Sequence, residues 1–145
     1  MGSNIHIEKH YNHSMKKVWF ALTNRAALEK WFTKHNLHSN MDELEPGDTF
    51  TFISTPKRSW DGMMHCEIKE INRPHKLVYT FGGDAFKKKP SVVTWTLIEE
   101  EAGTTLKLDH SGFEGLQGFF LRFLLKSGWK KALNSNEFIE AMTMS

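Results

Sequence analysis

His110 is the residue in this sequence best placed to do chemistry in an apolar setting. It alternates in phase with Leu106 and Leu108 along a predicted strand, so its side chain points to the same face as theirs. Such a histidine is either a core residue with a satisfied hydrogen bond or a pocket group that orients a ligand. A general acid or base role needs a carboxylate or tyrosine within hydrogen-bond reach, and the adjacent Asp109 points to the opposite face.

Tyr79 is the polar residue whose phase best suits a partner for His110, because it alternates with Leu77 and Phe81 on a second predicted strand. Its alternative role is that of an amphipathic core residue whose hydroxyl bonds to a backbone group or to water. Both interpretations remain open at this point.

Cys66 is the single cysteine of the chain, which excludes an internal disulfide and a cysteine-based zinc site. A free thiol fits a reducing compartment, and we expect it to be a small buried side chain. Two histidine pairs, His10-x-x-His13 and His35-x-x-His38, lack a third ligand at a supporting spacing. We therefore predict surface histidines and no metal site.

Composition favours one globular domain over residues 1–145, with 39% hydrophobic and 25% charged residues. A net charge of +2 is too small to argue for nucleic acid, and Lys87–Lys89 are predicted to form a solvated loop tip. The longest apolar stretch, around Phe119–Leu125, is far shorter than the ~20 residues of a membrane span. The first four residues lack the pattern of a secretory signal. We expect a cytoplasmic protein without a cofactor, a nucleic-acid partner or a membrane partner.

Periodicity predicts the elements that position these residues. A strand is predicted near residues 4–11, and Ser14 is a suitable N-cap for the helix that follows. Residues 33–48 are polar and irregular. Apolar residues at helical spacing predict two short helices, with Met15, Val18, Trp19 and Leu22 in the first and Leu28, Trp31 and Phe32 in the second.

The pattern in the middle of the chain predicts five further strands, one of them from about residue 60 to 71. Their inward-facing residues are predicted to be Phe50 and Phe52; Met64, Cys66 and Ile68; Leu77, Tyr79 and Phe81; Val93, Trp95 and Leu97; and Leu106, Leu108 and His110. Short turns between strands require antiparallel pairing. An antiparallel sheet can bury one face and expose the other to solvent.

A long helix is predicted from about residue 114 to 142. Its apolar stripe begins with Leu116, Phe119, Phe120, Phe123 and Leu124 and continues with Trp129, Ala132 and Leu133. Gly128 is a weak point, since a glycine inside a helix costs about 1 kcal/mol relative to alanine. No other element is long and apolar enough to cover the sheet. The predicted fold class is therefore α+β, a curved antiparallel sheet wrapped around a long C-terminal helix, with two short helices after the first strand.

Ordered motifs along residues 5–140 resemble a known family. They are Val18-Trp19-x-Ala21-Leu22-Thr23, Leu28-x-x-Trp31-Phe32, Pro46-Gly47-Asp48, Glu67-Ile68-x-Glu70-Ile71-Asn72-x-Pro74, Lys76-Leu77-Val78-Tyr79-Thr80-Phe81, Val93-Thr94-Trp95-x-Leu97, Thr104-x-Leu106, His110-Ser111-Gly112-Phe113 and Gly128-Trp129. Together they resemble START-like (Bet v 1-like) proteins of the SRPBCC superfamily, and within it the activator of heat-shock protein 90 ATPase homologue 1-like group. The resemblance implies the helix-grip fold.

The resemblance also sets expectations for function. Superfamily members bind lipids, hormones or polyketides in a cavity, and some catalyse cyclisation or dehydration there. In that family the segment equivalent to His110–Phe113 lies at the cavity, which strengthens the pocket interpretation of His110. The chain departs from the family pattern at Asp48 and Cys66, where glycine is frequent, and at Arg73, where proline is frequent.

We predict an apolar, aromatic cavity between sheet and helix that binds a hydrophobic or aromatic small molecule. Its predicted lining is Trp31, Phe50, Phe52, Met64, Tyr79, Phe81, Trp95, His110, Phe113, Phe120 and Trp129. One alternative is a cyclase or dehydratase-type enzyme that uses His110 as acid or base. The other is a chaperone-associated protein-interaction module, which predicts an exposed apolar patch.

Overall fold

The computed structural model describes residues 4–57, 60–83, 89–113 and 115–145, apart from the side chains of residues 115–117. The predictions for Lys87, Lys88, Glu114 and Leu116 therefore lie outside the described residues. The elements are β1 (Ile5–Tyr11), α1 (Met15–Thr23), α2 (Arg25–Trp31), β2 (Lys34–His35), a 3-10 helix (Met41–Glu43), β3 (Thr49–Ile53), β4 (Met63–Asn72), β5 (Lys76–Phe81), β6 (Ser91–Glu100), β7 (Gly103–Ser111), α3 (Gly115–Leu133) and α4 (Asn136–Met142).

The seven strands form one antiparallel sheet in the order β1-β7-β6-β5-β4-β3-β2. Each strand from β3 to β7 lies beside its sequence neighbour, as short turns require, and β1 closes the edge against β7. With the two short helices after β1 and the long helix near the C-terminus, the predicted α+β helix-grip fold is confirmed.

One face of the sheet is buried, and its residues are those that the period-two pattern predicted. The register places Val93 opposite His110 and Leu77 opposite Trp95, so side chains from neighbouring strands share that face. Between Ile68 and Glu70 the pairing of β4 with β5 shifts. There the Thr80 hydroxyl accepts a hydrogen bond from the Glu67 backbone N–H at 3.0 Å, which satisfies a donor where the ladder is irregular.

Helices α1, α2 and α4 pack against one another. Ser14 caps α1 as predicted, since its side chain accepts from the Lys17 N–H. Phe138 of α4 is fully buried, with ring centroids 4.7 Å from Trp31 and 5.3 Å from Tyr11. The sequence patterns did not indicate that the last turns of the chain contribute to the core in this way.

The prediction of one continuous C-terminal helix is wrong. The helix is interrupted at residues 134 and 135, between α3 and α4, and not at Gly128, which lies within α3. Ser135 ends one helix and begins the next, since its hydroxyl donates to the Ala132 carbonyl at 2.6 Å and accepts from the Phe138 N–H at 3.1 Å. The break turns α4 towards α1 and α2.

The prediction that the first apolar stripe of this helix faces the sheet is also wrong. Phe119, Phe120, Phe123 and Leu124 are between 45% and 72% exposed. Among residues 118–133 of α3, the buried positions are Gly118, Trp129 and Leu133. The first half of α3 is apolar on both sides, so periodicity alone does not decide which side packs. Phe120 therefore does not belong to the predicted cavity lining.

Residues 33–48 are more ordered than predicted. They contain β2, which pairs with β3, and the short 3-10 helix. Leu37 and Met41 are buried in the core despite the polar sequence around them. No helix among the described residues has both the length and the apolar character to cross a membrane.

Candidate functional site

The inner face of the sheet gathers most of the residues predicted to line a cavity. The fully or nearly fully buried ones are Trp31, Phe50, Phe52, Met64, Tyr79, Phe81, Trp95, His110 and Trp129. Phe113 is half-buried against the same cluster, whereas Phe120 lies outside it. The core they belong to joins residues from the sheet, α2 and α3.

Phe81 lies at the centre of a network of aromatic rings. Its ring centroid is 5.8 Å from Tyr79, 5.9 Å from Phe52, 5.9 Å from Trp129 and 5.3 Å from His110. These separations are those of rings in contact. In this state the aromatic side chains contact one another across the gap between sheet and helix.

His110 is held by two hydrogen bonds that fix its tautomer. The Trp129 indole N–H, which can only donate, donates to His110 Nδ1 at 3.0 Å. The imidazole proton therefore lies on Nε2, which donates to Ser91 Oγ at 2.7 Å. The Ser91 hydroxyl in turn donates to the Phe81 carbonyl at 3.3 Å. Every polar atom of this chain of hydrogen bonds is satisfied inside the protein.

Two glycines allow the backbone to bring these groups together. Gly112 has a φ of +98°, and a Cβ there would approach the Ser91 Cα at 3.1 Å. Gly118 packs its helical backbone directly on Phe113, where a Cβ would lie 3.0 Å from the Phe113 carbonyl carbon. The chain thus turns sharply after β7 and starts α3 close to Ser91 and His110.

The electrostatics of His110 do not suit acid–base catalysis. Burial lowers the pKa of His110 to about 3, so the ring is neutral at physiological pH. Within the described residues, its side-chain hydrogen-bond partners are Ser91 and Trp129, neither of which titrates near neutrality. Because Nδ1 accepts from Trp129, Nε2 carries the proton and cannot take one from Ser91. The Ser91–His110 pair is therefore not an activated nucleophile.

Tyr79 is not the partner of His110. Its hydroxyl accepts a hydrogen bond from the Trp95 indole N–H at 2.9 Å. Burial raises the pKa of Tyr79 well above its usual range. Cys66 is likewise buried, and its burial raises the pKa of the thiol, which leaves it protonated and unreactive.

Sequence reasoning missed Ser91 and Phe32 as members of this site. Ser91 could have been found, because it alternates in phase with Val93 and Trp95 on β6. Phe32 follows α2 and stacks on Trp129 with a centroid separation of 5.3 Å. Its position depends on how the chain leaves α2, which no periodic pattern reports.

The histidine pairs lie apart from this interior. His10 bonds the Ala102 carbonyl and the Glu100 carboxylate, each at 3.0 Å, and these two bonds, the first more than the second, raise the pKa of His10. His35 bonds the Arg25 carbonyl at 2.9 Å and the Leu37 N–H at 3.2 Å, and only 1% of its side chain is exposed, so the prediction of a surface histidine is wrong for His35. Throughout residues 4–57, 60–83, 89–113 and 115–145, no three metal-ligating side chains converge.

Comparison of the chain with known families gives one assignment. Residues 12–136 match the sequence profile of the family described as "Activator of Hsp90 ATPase homolog 1-like protein". The chain belongs to the activator of Hsp90 ATPase homolog 1-like family. The profile covers every element from α1 to α3, so the whole site described above lies within the family domain.

Solved structures agree with this family assignment at the level of fold. Protein MLL2253 from Mesorhizobium loti is 26% identical with a TM-score of 0.72, over 96% of this chain and 93% of that one. Protein BH1534 from Bacillus halodurans is 25% identical with a TM-score of 0.72, over 96% of each chain. The Aha1 dimer from Colwellia psychrerythraea is 19% identical with a TM-score of 0.69, over 90% of this chain and 91% of that one. No curated protein matches the chain in sequence.

The departures from the pattern of the activator of Hsp90 ATPase homolog 1-like family have local structural roles. Asp48 closes its turn by accepting from the Glu45 N–H at 2.8 Å. Arg73 donates to the Asp42 carbonyl at 2.7 Å and so fixes the loop beside it. Cys66 places its sulfur on the buried face of β4 and fills space at that point of the interior.

Proposed function

We propose that this chain binds an uncharged apolar or aromatic small molecule between the concave face of the sheet and α3. The observation that carries the proposal is an aromatic interior with only a few fixed polar atoms, those of Tyr79, Ser91, Trp95, His110 and Trp129. Ligand pockets are mainly apolar and aromatic, with a small number of placed polar groups that set orientation. This interior has that composition.

The chemistry of the interior indicates the class of ligand. Among the described residues, the buried polar side chains apart from tyrosines and tryptophans are Thr23, Thr80, Ser91, Thr104 and His110, and none of them is charged at neutral pH. A charged ligand group would lose its hydration there without a countercharge. The favoured ligand is therefore neutral, with one or two hydrogen-bonding atoms that can exchange with the Ser91–His110–Trp129 bonds.

Entry of a ligand requires a ring to move, because the rings touch in this state. Phe32 and Phe113 are the half-buried members of the cluster, and both border its most buried part. Phe32 stacks on Trp129, and the centroid of Phe113 lies 4.8 Å from that of His110. Outward rotation of Phe113 would open space over His110, and outward rotation of Phe32 would open space over Trp129 and Phe52.

Helix α3 suits the role of a movable wall. Its C-terminal half is anchored, since Trp129 bonds His110 and the Tyr11 hydroxyl donates to the Leu133 carbonyl at 2.6 Å. Its N-terminal half presents Phe123 and Leu124 to solvent. A helix held at one end can tilt at the other, and the packing that such a tilt of α3 must give up includes the contact of Gly118 with Phe113.

The two rival functions receive less support. A cyclase or dehydratase needs a titratable partner for His110, and within the described residues its hydrogen bonds go to Ser91 and Trp129. A chaperone-associated module needs an exposed apolar patch. The outward face of α3 is such a patch, and the charged residues beside it on α3 are all cationic.

Titration with the neutral fluorescent probe N-phenyl-1-naphthylamine tests the proposal. We expect a saturable signal that Phe32→Ala strengthens by about tenfold, because a ring that is absent need not be displaced and each 1.4 kcal/mol of avoided cost is a factor of ten. The matched control is Phe123→Ser with Leu124→Ser, on the outward face of α3, which leaves the titration unchanged. A wild-type chain with no saturable signal, or a control variant that changes the titration as much as Phe32→Ala does, would overturn the proposal.

A further inference from the structure

The outward face of α3 is apolar at one end and cationic at the other. Phe123 and Leu124 are followed seven residues later by Lys130 and Lys131, two helical turns further along the same face. All four side chains are exposed. The rise of an α-helix places the lysine pair roughly 10 Å beyond the phenylalanine and leucine pair.

All charges on α3 have the same sign. Between residues 115 and 133 the chain carries Arg122, Lys126, Lys130 and Lys131 and no acidic residue. In the described part of the chain, no carboxylate forms an ion pair with any of these four. The face therefore offers a positive surface with no built-in partner.

A hollow of about 350 Å³ lies in this surface. It is lined by Arg122, Phe123, Lys126, Ser127 and Lys130. The Arg122 Nε atom is buried and has no hydrogen-bond partner, while its guanidinium lies 5.9 Å from the Phe119 ring. An unpaired buried donor is costly, and a rotation of the Arg122 side chain into the hollow would let an anionic oxygen there accept a hydrogen bond from it.

We propose that the outward face of α3 docks on an anionic phospholipid surface. Phe119, Phe120, Phe123 and Leu124 enter the boundary between headgroups and acyl chains, and the cations of the second half contact lipid phosphates. Helices that lie in this boundary bury an apolar face about 5–10 Å deep and carry lysine and arginine on the polar side. The roughly 10 Å between the two ends of this face matches that depth if the helix enters obliquely, N-terminal end first.

Charge complementarity distinguishes this occupant from a second copy of the chain. A second copy that used the same face would bring Lys130 and Lys131 near other cations, because α3 has no acidic residue to pair with them. An anionic bilayer supplies the missing charge and the apolar phase together. The proposal departs from the expectation, drawn from sequence, of no membrane partner, because that expectation considered only segments long enough to span.

Flotation of the full chain with lipid vesicles tests the proposal. We expect the chain to float with vesicles that contain phosphatidylglycerol, to stay in solution with pure phosphatidylcholine, and to dissociate as salt is raised. Phe123→Ser with Leu124→Ser should lower partition about tenfold, and Lys130→Gln with Lys131→Gln should lower it several-fold. The matched controls, Ile98→Ser with Met144→Ser and Lys16→Gln with Lys34→Gln, change exposed residues on other elements and should retain wild-type partition.

The alternatives have distinct outcomes. Self-association that depends on concentration and is lost in the Phe123→Ser, Leu124→Ser variant, without flotation, would overturn the proposal and assign the face to a second copy. Absence of both flotation and self-association would also overturn it and leave an acidic protein as the occupant. Binding of the neutral probe to the interior is measured separately, so failure here does not bear on the proposed ligand site.

Discussion

The two halves of helix α3 differ in composition and have opposite roles. The C-terminal half buries Trp129 and Leu133, and hydrogen bonds from Trp129 and Tyr11 fix it to β7 and β1. The N-terminal half, which is richer in large apolar residues, presents Phe120, Phe123 and their neighbours to solvent. The difference shows that apolar content does not decide burial, and that the half with specific polar contacts to the sheet is the half that packs.

The anchored half also explains why His110 is neutral and satisfied. Trp129 supplies the donor that fills Nδ1, and Ser91 accepts from Nε2. A ligand that enters the interior must fit beside the hydrogen bond between Trp129 and His110. A partner that binds at the surface would contact the N-terminal half of α3. The comparison therefore separates a site inside the fold from a site on its outside, on one helix.

The largest effect that would sharpen this comparison is expected from Trp129→Ala. The indole packs against Phe32, Phe81 and Trp95 at centroid distances of 5.3 to 5.9 Å. Its removal leaves a cavity and an unpaired His110 Nδ1, so the free energy of unfolding should fall by about 3–5 kcal/mol. Urea denaturation measures the change.

Trp129→Phe is the matched control for that substitution. It keeps most of the ring volume and removes only the indole N–H, so the loss should be about 1–3 kcal/mol, the cost of an unsatisfied buried acceptor. A loss below about 1 kcal/mol in both variants would mean that α3 is not anchored at this residue.

A smaller effect is expected from pH, acting on the anchored half alone. The pKa of His110 is lowered to about 3 by burial, so the unfolded chain binds a proton between about pH 6.5 and pH 3 while the folded chain does not. The free energy of unfolding should therefore decrease as the pH falls through this window, by up to about 1.4 kcal/mol per pH unit.

His110→Gln isolates this contribution, because glutamine keeps a donor and an acceptor but does not titrate. The exposed His6 and His10 have raised pKa values, for His6 chiefly through its bond to Asp109 and for His10 through the Ala102 carbonyl. Their stabilisation is present at low pH and is lost as the pH rises, which is the opposite sign, and both variant and wild type retain it. Parallel pH profiles of the two proteins would contradict the assignment to His110.

Most of the sheet could be predicted from sequence because each strand shows a period of two, and tight turns join β4 to β5 and β6 to β7. The alternation placed Tyr79, Trp95 and His110 on the inner face, where the register confirms them. The ends of the helices could be predicted less well from sequence. The break at Ser135 depends on an N-cap hydrogen bond from the Phe138 N–H. This cap stabilises the start of α4 only in a fold that buries Phe138 in its core.

The candidate site could be predicted in its membership but less well in its connections. Phase alone suggested Tyr79 as the partner of His110, yet residues on one face of a sheet need not touch. The actual partners, Ser91 and Trp129, come from the adjacent strand and from a helix whose orientation is set by tertiary packing. Phe120 was misplaced for the same reason, since the first half of α3 has two apolar sides.

The smallest effect is expected for Leu124→Ala, which is best measured beside Leu133→Ala on the same helix. Leu124 is 72% exposed and Leu133 is 1% exposed, so the same substitution to alanine removes contacts at one end of the helix and almost none at the other. Leu133→Ala should lower the free energy of unfolding by about 2–5 kcal/mol, whereas Leu124→Ala should change it by less than about 0.5 kcal/mol, since alanine is also a good helix former. Denaturation of both variants under one condition makes the comparison. If Leu124→Ala destabilised the fold as much as Leu133→Ala, the outward side of α3 would be packed in solution, and neither a movable wall nor a docking face could be assigned to it.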